Sequence, residues 1–151
     1  MGVIKLLLAD DHVIIRDGIK LMLKRDSKFE IVAEAGNGKE VIEFLNANPK
    51  SVDVILMDIN MPVMNGIEAA QVVAEIFNHV KILALTMHAE ATYITNMLKA
   101  GALGYILKES TTEDLVSAIV AVAEGQKYYS NEVSVTMINS LMNDDKPKSS
   151  F

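Results

Sequence analysis

The 151-residue chain contains no cysteine. That excludes disulfides, thiolate zinc sites and thiol nucleophiles, and it fits a cytoplasmic setting. Surplus positive charge is missing too. Lys and Arg number 14 against 20 Asp and Glu, a formal net charge of −6. A strong intrinsic nucleic-acid surface needs clustered Lys and Arg, so none is expected from these residues. Long apolar runs are also absent: no stretch approaches the ~20 residues needed to span a bilayer, and no membrane contact is expected. The opening MGVIKLLLADD reaches two acids after too short an apolar segment for a signal peptide. Gly2 lacks the Ser or Thr that a myristoylation motif wants at position six, where Leu6 stands. What is present is ordinary for a globular domain. Half the residues are hydrophobic and 23% are charged, enough for one compact domain with a sizeable core.

Short runs rich in Val, Ile and Leu alternate with longer segments of helical period. VIKLLLA (3–9), FEIVAEA (29–35), VDVILM (52–57), KILALT (81–86) and LGYIL (103–107) read as strands. Several are apolar on both faces, the mark of a parallel sheet covered by helices on each side. Between them, HVIIRDGIKLMLKRD sets Ile15, Ile19, Met22 and Leu23 at helical spacing, and KEVIEFLNA does the same with Val41, Ile42 and Leu45. GIEAAQVVAEIF, AEATYITNMLKA and TTEDLVSAIVAVAEG supply three more helices, the last capped by Thr and closed at Gly125. Strict β-α alternation predicts an α/β sandwich with right-handed crossovers. Beyond Gly125, KYYSNEVSVTMINSLMN predicts one further helix, and DDKPKSSF reads as linker.

In open parallel sheets, ligands bind beyond the carboxyl ends of the strands. Strand one ends in Asp10-Asp11, strand three in Asp58, strand four in Thr86-Met87-His88 and strand five in Lys108. Each has a plain structural use. Asp11 can cap the following helix, Asp58 can belong to the turn around Pro62 and Asn65-Gly66, Thr86 can be a strand residue, and Lys108 can be solvated. Together they are harder to dismiss. Carboxylates held ~4–6 Å apart repel by roughly 4 kcal/mol per close pair at an effective dielectric near 20. Such a cluster persists when a cation sits in it or protons are taken up. All-oxygen donors suit Mg²⁺, and a hydroxyl and an ammonium opposite equip the rim for phosphoryl transfer. Asp58 would then be the nucleophile, giving an acyl phosphate.

LLADDH, ILMDINMPVMNG, ALTMHA and GALGYILKES fall in this order at the strand ends. Over about residues 3–125 they resemble the receiver domain of bacterial two-component response regulators. The resemblance implies a flavodoxin-like (CheY-like) three-layer sandwich with a five-stranded parallel sheet of order 2-1-3-4-5. It implies that a sensor histidine kinase phosphorylates Asp58. Mg²⁺ would be held by Asp10, Asp11, Asp58 and the backbone carbonyl of Asn60, with Asp11 direct and Asp10 through water. Lys108 would pair with the phosphoryl group. Thr86 and Tyr105 would form the switch pair, the hydroxyl moving toward the phosphate as the ring turns inward. The implied product is a signalling protein that phosphorylates and dephosphorylates itself, not a turnover enzyme.

Departures from the pattern sharpen the expectations. Many receivers carry a cis peptide to Pro after the strand-five lysine. Glu109 stands there, and a cis bond before it would cost ~3–4 kcal/mol. Met87 follows the switch Thr where small residues are common, which predicts slow loss of phosphate. His12 and His88 read as helix and loop surface. Lys108-Glu109-Ser110, the acidic helix and GQKYYS are similar to the NarL/FixJ (LuxR-type) subfamily, in which a linker helix leads to a helix-turn-helix domain. Residues 1–125 are thus expected to be the receiver and 126–151 a linker helix and tail. The chain reads as truncated before its DNA-binding domain, with a homodimer forming on phosphorylation. Three alternatives stand against this. A stand-alone receiver could relay phosphate or dock on a protein. A dehalogenase-type phosphatase wants Asp-x-Asp, but position 12 is His. A flavin carrier needs a Ser/Thr/Gly-rich loop after strand one, which DDHVIIRDG does not offer.

Overall fold

The computed structural model describes residues 2–144. The chain alternates strand and helix throughout: β1 (Ile4–Ala9), α1 (Val13–Lys24), β2 (Phe29–Ala35), α2 (Gly38–Ala47), β3 (Val54–Met57) and α3 (Gly66–Ile76). It continues through β4 (Lys81–Thr86), α4 (Ala91–Lys99), β5 (Gly104–Leu107), α5 (Thr112–Ala123), β6 (Tyr128–Tyr129) and α6 (Asn131–Asp144). The segment DDKPKSSF, expected to be linker, lies outside the described residues except for Asp144.

All strand pairs are parallel, in the order β2-β1-β3-β4-β5-β6. The expected order 2-1-3-4-5 is therefore present, and the sheet is one strand wider. The extra strand is two residues long, with Tyr128 and Tyr129 paired to Gly104 and Tyr105. So short a strand has no periodicity of its own. It forms because β5 offers a free edge where the chain leaves α5.

The strands alternate between two apolar layers, as a period of two requires. On β1, Leu7 and Ala9 face a core closed by α2, α3, α4 and Val133 of α6. Leu6 and Leu8 face the opposite core, closed by Ile19 and Leu23 of α1 and by Leu115, Ile119 and Val122 of α5. The edge strand β2 shows Glu30 and Glu34 to solvent, but β3, β4 and β5 are buried on both faces, so their polar residues collect where they end. That concentrates the chemistry at one rim.

Candidate functional site

Four strand ends build the rim, those of β1, β3, β4 and β5. β1 stops at Ala9 and is followed by Asp10, whose N–H still bonds the Ala35 carbonyl of β2 at 3.0 Å. β3 stops at Met57, and the Asp58 N–H bonds the Ala9 carbonyl at 2.9 Å. These ladder bonds hold two carboxylates side by side at the sheet's end, both nearly buried: Asp10 is 3% exposed and Asp58 5%. Lys108, just past β5, reaches across. Its Nζ lies 2.6 Å from Asp10 Oδ2 and 3.0 Å from Asp58 Oδ2. Burial acts to lower the Lys108 pKa, but hydrogen bonds to Asp10 and Asp58 outweigh it and hold the ammonium above the ordinary lysine value.

Asp11 differs from its neighbour. It is exposed and faces the same space from the rim. Carboxylate oxygens of Asp10, Asp11 and Asp58, with a ring nitrogen of His12, all lie within 4.8 Å of one another. Three carboxylates are hard oxygen donors of the kind that suit Mg²⁺, which asks for one or two of them beside phosphate and water. The donor set fits that ion. Asp11 is not the cap of α1: His12 occupies that position and makes no side-chain capping bond.

His12 is exposed, as the sequence led one to expect, and His88 is half-buried; both also touch residues of the site. His12 donates its N–H to Asp10 Oδ1 at 2.9 Å, and its Nδ1 lies 3.1 Å from both Asp10 Oδ1 and Asp11 Oδ1. His88 Nε2 lies 2.6 Å from Asn60 Nδ2 across the rim, and its ring stacks on Tyr93 of α4 at 4.3 Å between centroids. Their only sequence signal is proximity to the strand-end Asp and Thr.

Thr86 is fully buried, and its Oγ1 accepts from the His88 N–H at 3.3 Å. Tyr105 is fully buried as well, donating its hydroxyl to the His88 carbonyl. Burial, with Glu90 and Asp58 nearby, pushes the Tyr105 phenol up, so it remains a donor. Its ring is inward, the position the sequence reading ties to a Thr86 drawn toward the phosphoryl group. There is no cis peptide among the described residues, so the Lys108–Glu109 bond is trans. Asn60 is exposed on the loop after Asp58.

The loop after β3 is held by local chemistry. Asn65 caps α3 by accepting from the Glu68 N–H, and the Glu68 side chain accepts from the Asn65 N–H in return. Gly66 lies against the Asp58 backbone so closely that an added Cβ would overlap the Asp58 carbonyl. The phosphoacceptor candidate is thereby backed by a residue that must be glycine.

A parallel sheet of this order, with two buried aspartates bridged by a lysine at its carboxyl end, defines the phosphoacceptor receivers. Residues 6–120 match the response regulator receiver domain, and the chain belongs to that family. It is 39% identical over 151 residues to the transcriptional regulatory protein DegU of Brevibacillus brevis, covering 97% of this chain and 63% of that protein. The chain thus spans somewhat less than two thirds of that relative's length. Among solved structures it resembles a two-component response regulator of the LuxR family from Aurantimonas sp. SI85-9A1, with a TM-score of 0.86 and 28% identity. That match covers 93% of this chain and 99% of the other. It also resembles the RcsB response regulator of Salmonella typhimurium, in a structure concerned with conformational dynamism for DNA interaction. There the TM-score is 0.80 at 27% identity, over 91% of this chain and 68% of that one. Among the described residues, no helix is long and apolar enough to cross a membrane.

Proposed function

We propose that this chain is a phosphorylation-dependent switch in which Asp58 accepts a phosphoryl group from a sensor histidine kinase. One observation carries the reading: the Lys108 ammonium bridges Asp10 and Asp58 at the end of the sheet. A lysine so placed can follow the phosphoryl oxygens as they arrive, and Thr86 can donate to another of them. In the transfer, a carboxylate oxygen of Asp58 forms a bond to phosphorus as the phosphorus–nitrogen bond of the donor histidine breaks. The imidazole leaves with the electron pair and takes up a proton. Asp10, Asp11, Asp58 and the Asn60 backbone carbonyl would hold Mg²⁺. The ion would offset negative charge on the transferred group.

Phosphorylation adds nearly two negative charges at this rim. Binding them draws Thr86 and Lys108 toward the phosphate and holds Tyr105 in its inward position behind Thr86. The loops after β4 and β5 move with them, and the face of α4, β5 and α5 is reshaped as a population shift. The output is control of transcription through a C-terminal helix-turn-helix domain, with a homodimer formed on phosphorylation. Residues 1–125 form the receiver, and the linker helix within 126–151 docks on it through β6 and Val133. The protein acts in the cytoplasm and reacts once per phosphoryl group, not as a turnover enzyme.

Mass spectrometry after incubation with acetyl phosphate and Mg²⁺ tests the reading. The wild type is expected to gain one phosphate and Asp58→Asn none. An adduct undiminished in the variant would refute it.

A further inference from the structure

Helix α1 begins against the usual rules. No acidic residue lies in its first turn, its N-cap makes no side-chain bond, and a cation, Arg16, stands where the helix's positive end opposes it. Sequences that break local rules in this way commonly do so for a tertiary reason. Arg16 has one. Its Nη1 donates to the backbone carbonyl of Asp10, and its Nε donates to Glu34 Oε1 of β2 at 3.0 Å.

The Asp10 carbonyl lies just past the end of β1. The other polar groups of Asp10 are engaged: its N–H with Ala35, Oδ1 with His12 and Oδ2 with Lys108. Arg16 completes the set. Glu34 is itself kept ionised, since Lys20, followed by Arg16, holds its carboxyl below the ordinary range against the opposing effect of burial. Glu34 Oε2 binds Lys20 Nζ at 2.9 Å. The Arg16 side chain is only 17% exposed, so the bridge is partly shielded from water.

We propose that Arg16, anchored on Glu34, is the positioning residue of the acidic pair: it fixes the Asp10 carbonyl and so the turn that presents Asp10 and Asp11 to a divalent cation. The proposal rests on the reading of this rim as a Mg²⁺ site.

Charge and position act in opposite directions here, which makes the proposal testable. Removing a cation near the site favours Mg²⁺ by electrostatics, whereas loosening the turn disfavours it. Replacing Arg16 and Glu34 together with Met and Gln removes one charge of each sign and leaves position as the difference. Calorimetric titration of Mg²⁺ into the folded chain, with folding checked by circular dichroism, is the measurement. The Arg16→Met/Glu34→Gln variant is expected to bind on the order of 10-fold more weakly, as loss of supporting hydrogen bonds does elsewhere. Arg16→Lys is expected to weaken binding too, because one ammonium lacks the planar fork that reaches both partners. Lys20→Met also strips a cation from Glu34 but touches nothing at Asp10, so its affinity should be unchanged or slightly higher.

Undiminished affinity in the folded double variant overturns the proposal, as does a loss in Lys20→Met equal to that in the double variant. If the double variant does not fold, Arg16→Lys decides by the same criterion. A wild type that takes up no Mg²⁺ overturns the metal reading itself, and this proposal with it.

Discussion

At the scale of single residues, Lys108 shows how two carboxylates are kept together without mutual repulsion. Its side chain is 9% exposed and touches both. Because its pKa is raised above the ordinary 10.5, it contributes stability that is fully present below that value. That stability is lost as pH rises through the raised pKa. Urea midpoints of the wild type and Lys108→Met should therefore differ by a constant amount at neutral pH and converge in strong alkali. A difference that stays constant through the alkaline range would contradict the linkage. Met87 acts on the other side of the chemistry. It is 75% exposed and, with Lys108 and Glu109, lines an opening beside the site. Shortening it clears a path for water, so phosphorylated Met87→Ala is expected to lose phosphate faster than the wild type. Equal decay rates would remove Met87 as the cause.

At the scale of elements, the loop between β3 and α3 stores strain next to Asp58. Val63 has φ of 70°, and the Met64 N–H bonds the Pro62 carbonyl at 2.7 Å, closing a three-residue turn around it. A β-branched residue rarely takes that conformation, and it costs on the order of 1–3 kcal/mol. The Val63 side chain is 78% exposed, so little packing offsets the strain. Val63→Gly is expected to stabilise the fold by about 1 kcal/mol in chemical denaturation, after the cost of glycine's freedom in the unfolded chain. Two residues on, the sign reverses. Asn65→Ala breaks the reciprocal cap of α3 and should cost about 1 kcal/mol. Gly66→Ala drives a methyl into the Asp58 carbonyl and should cost on the order of 3 kcal/mol, with phosphate uptake lost at the same time. The loop therefore reads as tolerant at its tip and intolerant at its base.

At the scale of the molecule, the segment after Gly125 is part of the sheet's architecture. β6 extends the sheet beside β5, and Val133 of α6 is fully buried in the same core as Ile94 and Met97 of α4. Trimming Val133 to Ala should cost ~2 kcal/mol, since the cavity lies in a packed interior. Thermal melting that leaves the variant at the wild-type midpoint would mean that α6 is loosely docked. The opposite side of α6 shows Val135, Ile138, Leu141 and Met142 to solvent.

The alternation of apolar strands with amphipathic segments is local information, and it was sufficient to determine five strands and six helices, whereas the order of the sheet followed from the resemblance of the strand-end motifs to receiver domains. The alternation also put Asp10, Asp11, Asp58, Thr86 and Lys108 on one rim, because the carboxyl ends of parallel strands share one edge of the sheet. Tertiary structure decided what depends on partners far away in sequence. Lys108 meets Asp58 across 50 positions and His88 meets Asn60 across 28, contacts that no local pattern encodes. The burial of Asp10 beside an exposed Asp11 was decided the same way, since two adjacent identical residues differ only in what surrounds them. So was β6, which exists because a sheet edge was free to accept two residues. The pattern along the chain determined which residues reach the rim, and packing between distant elements determined which of them touch.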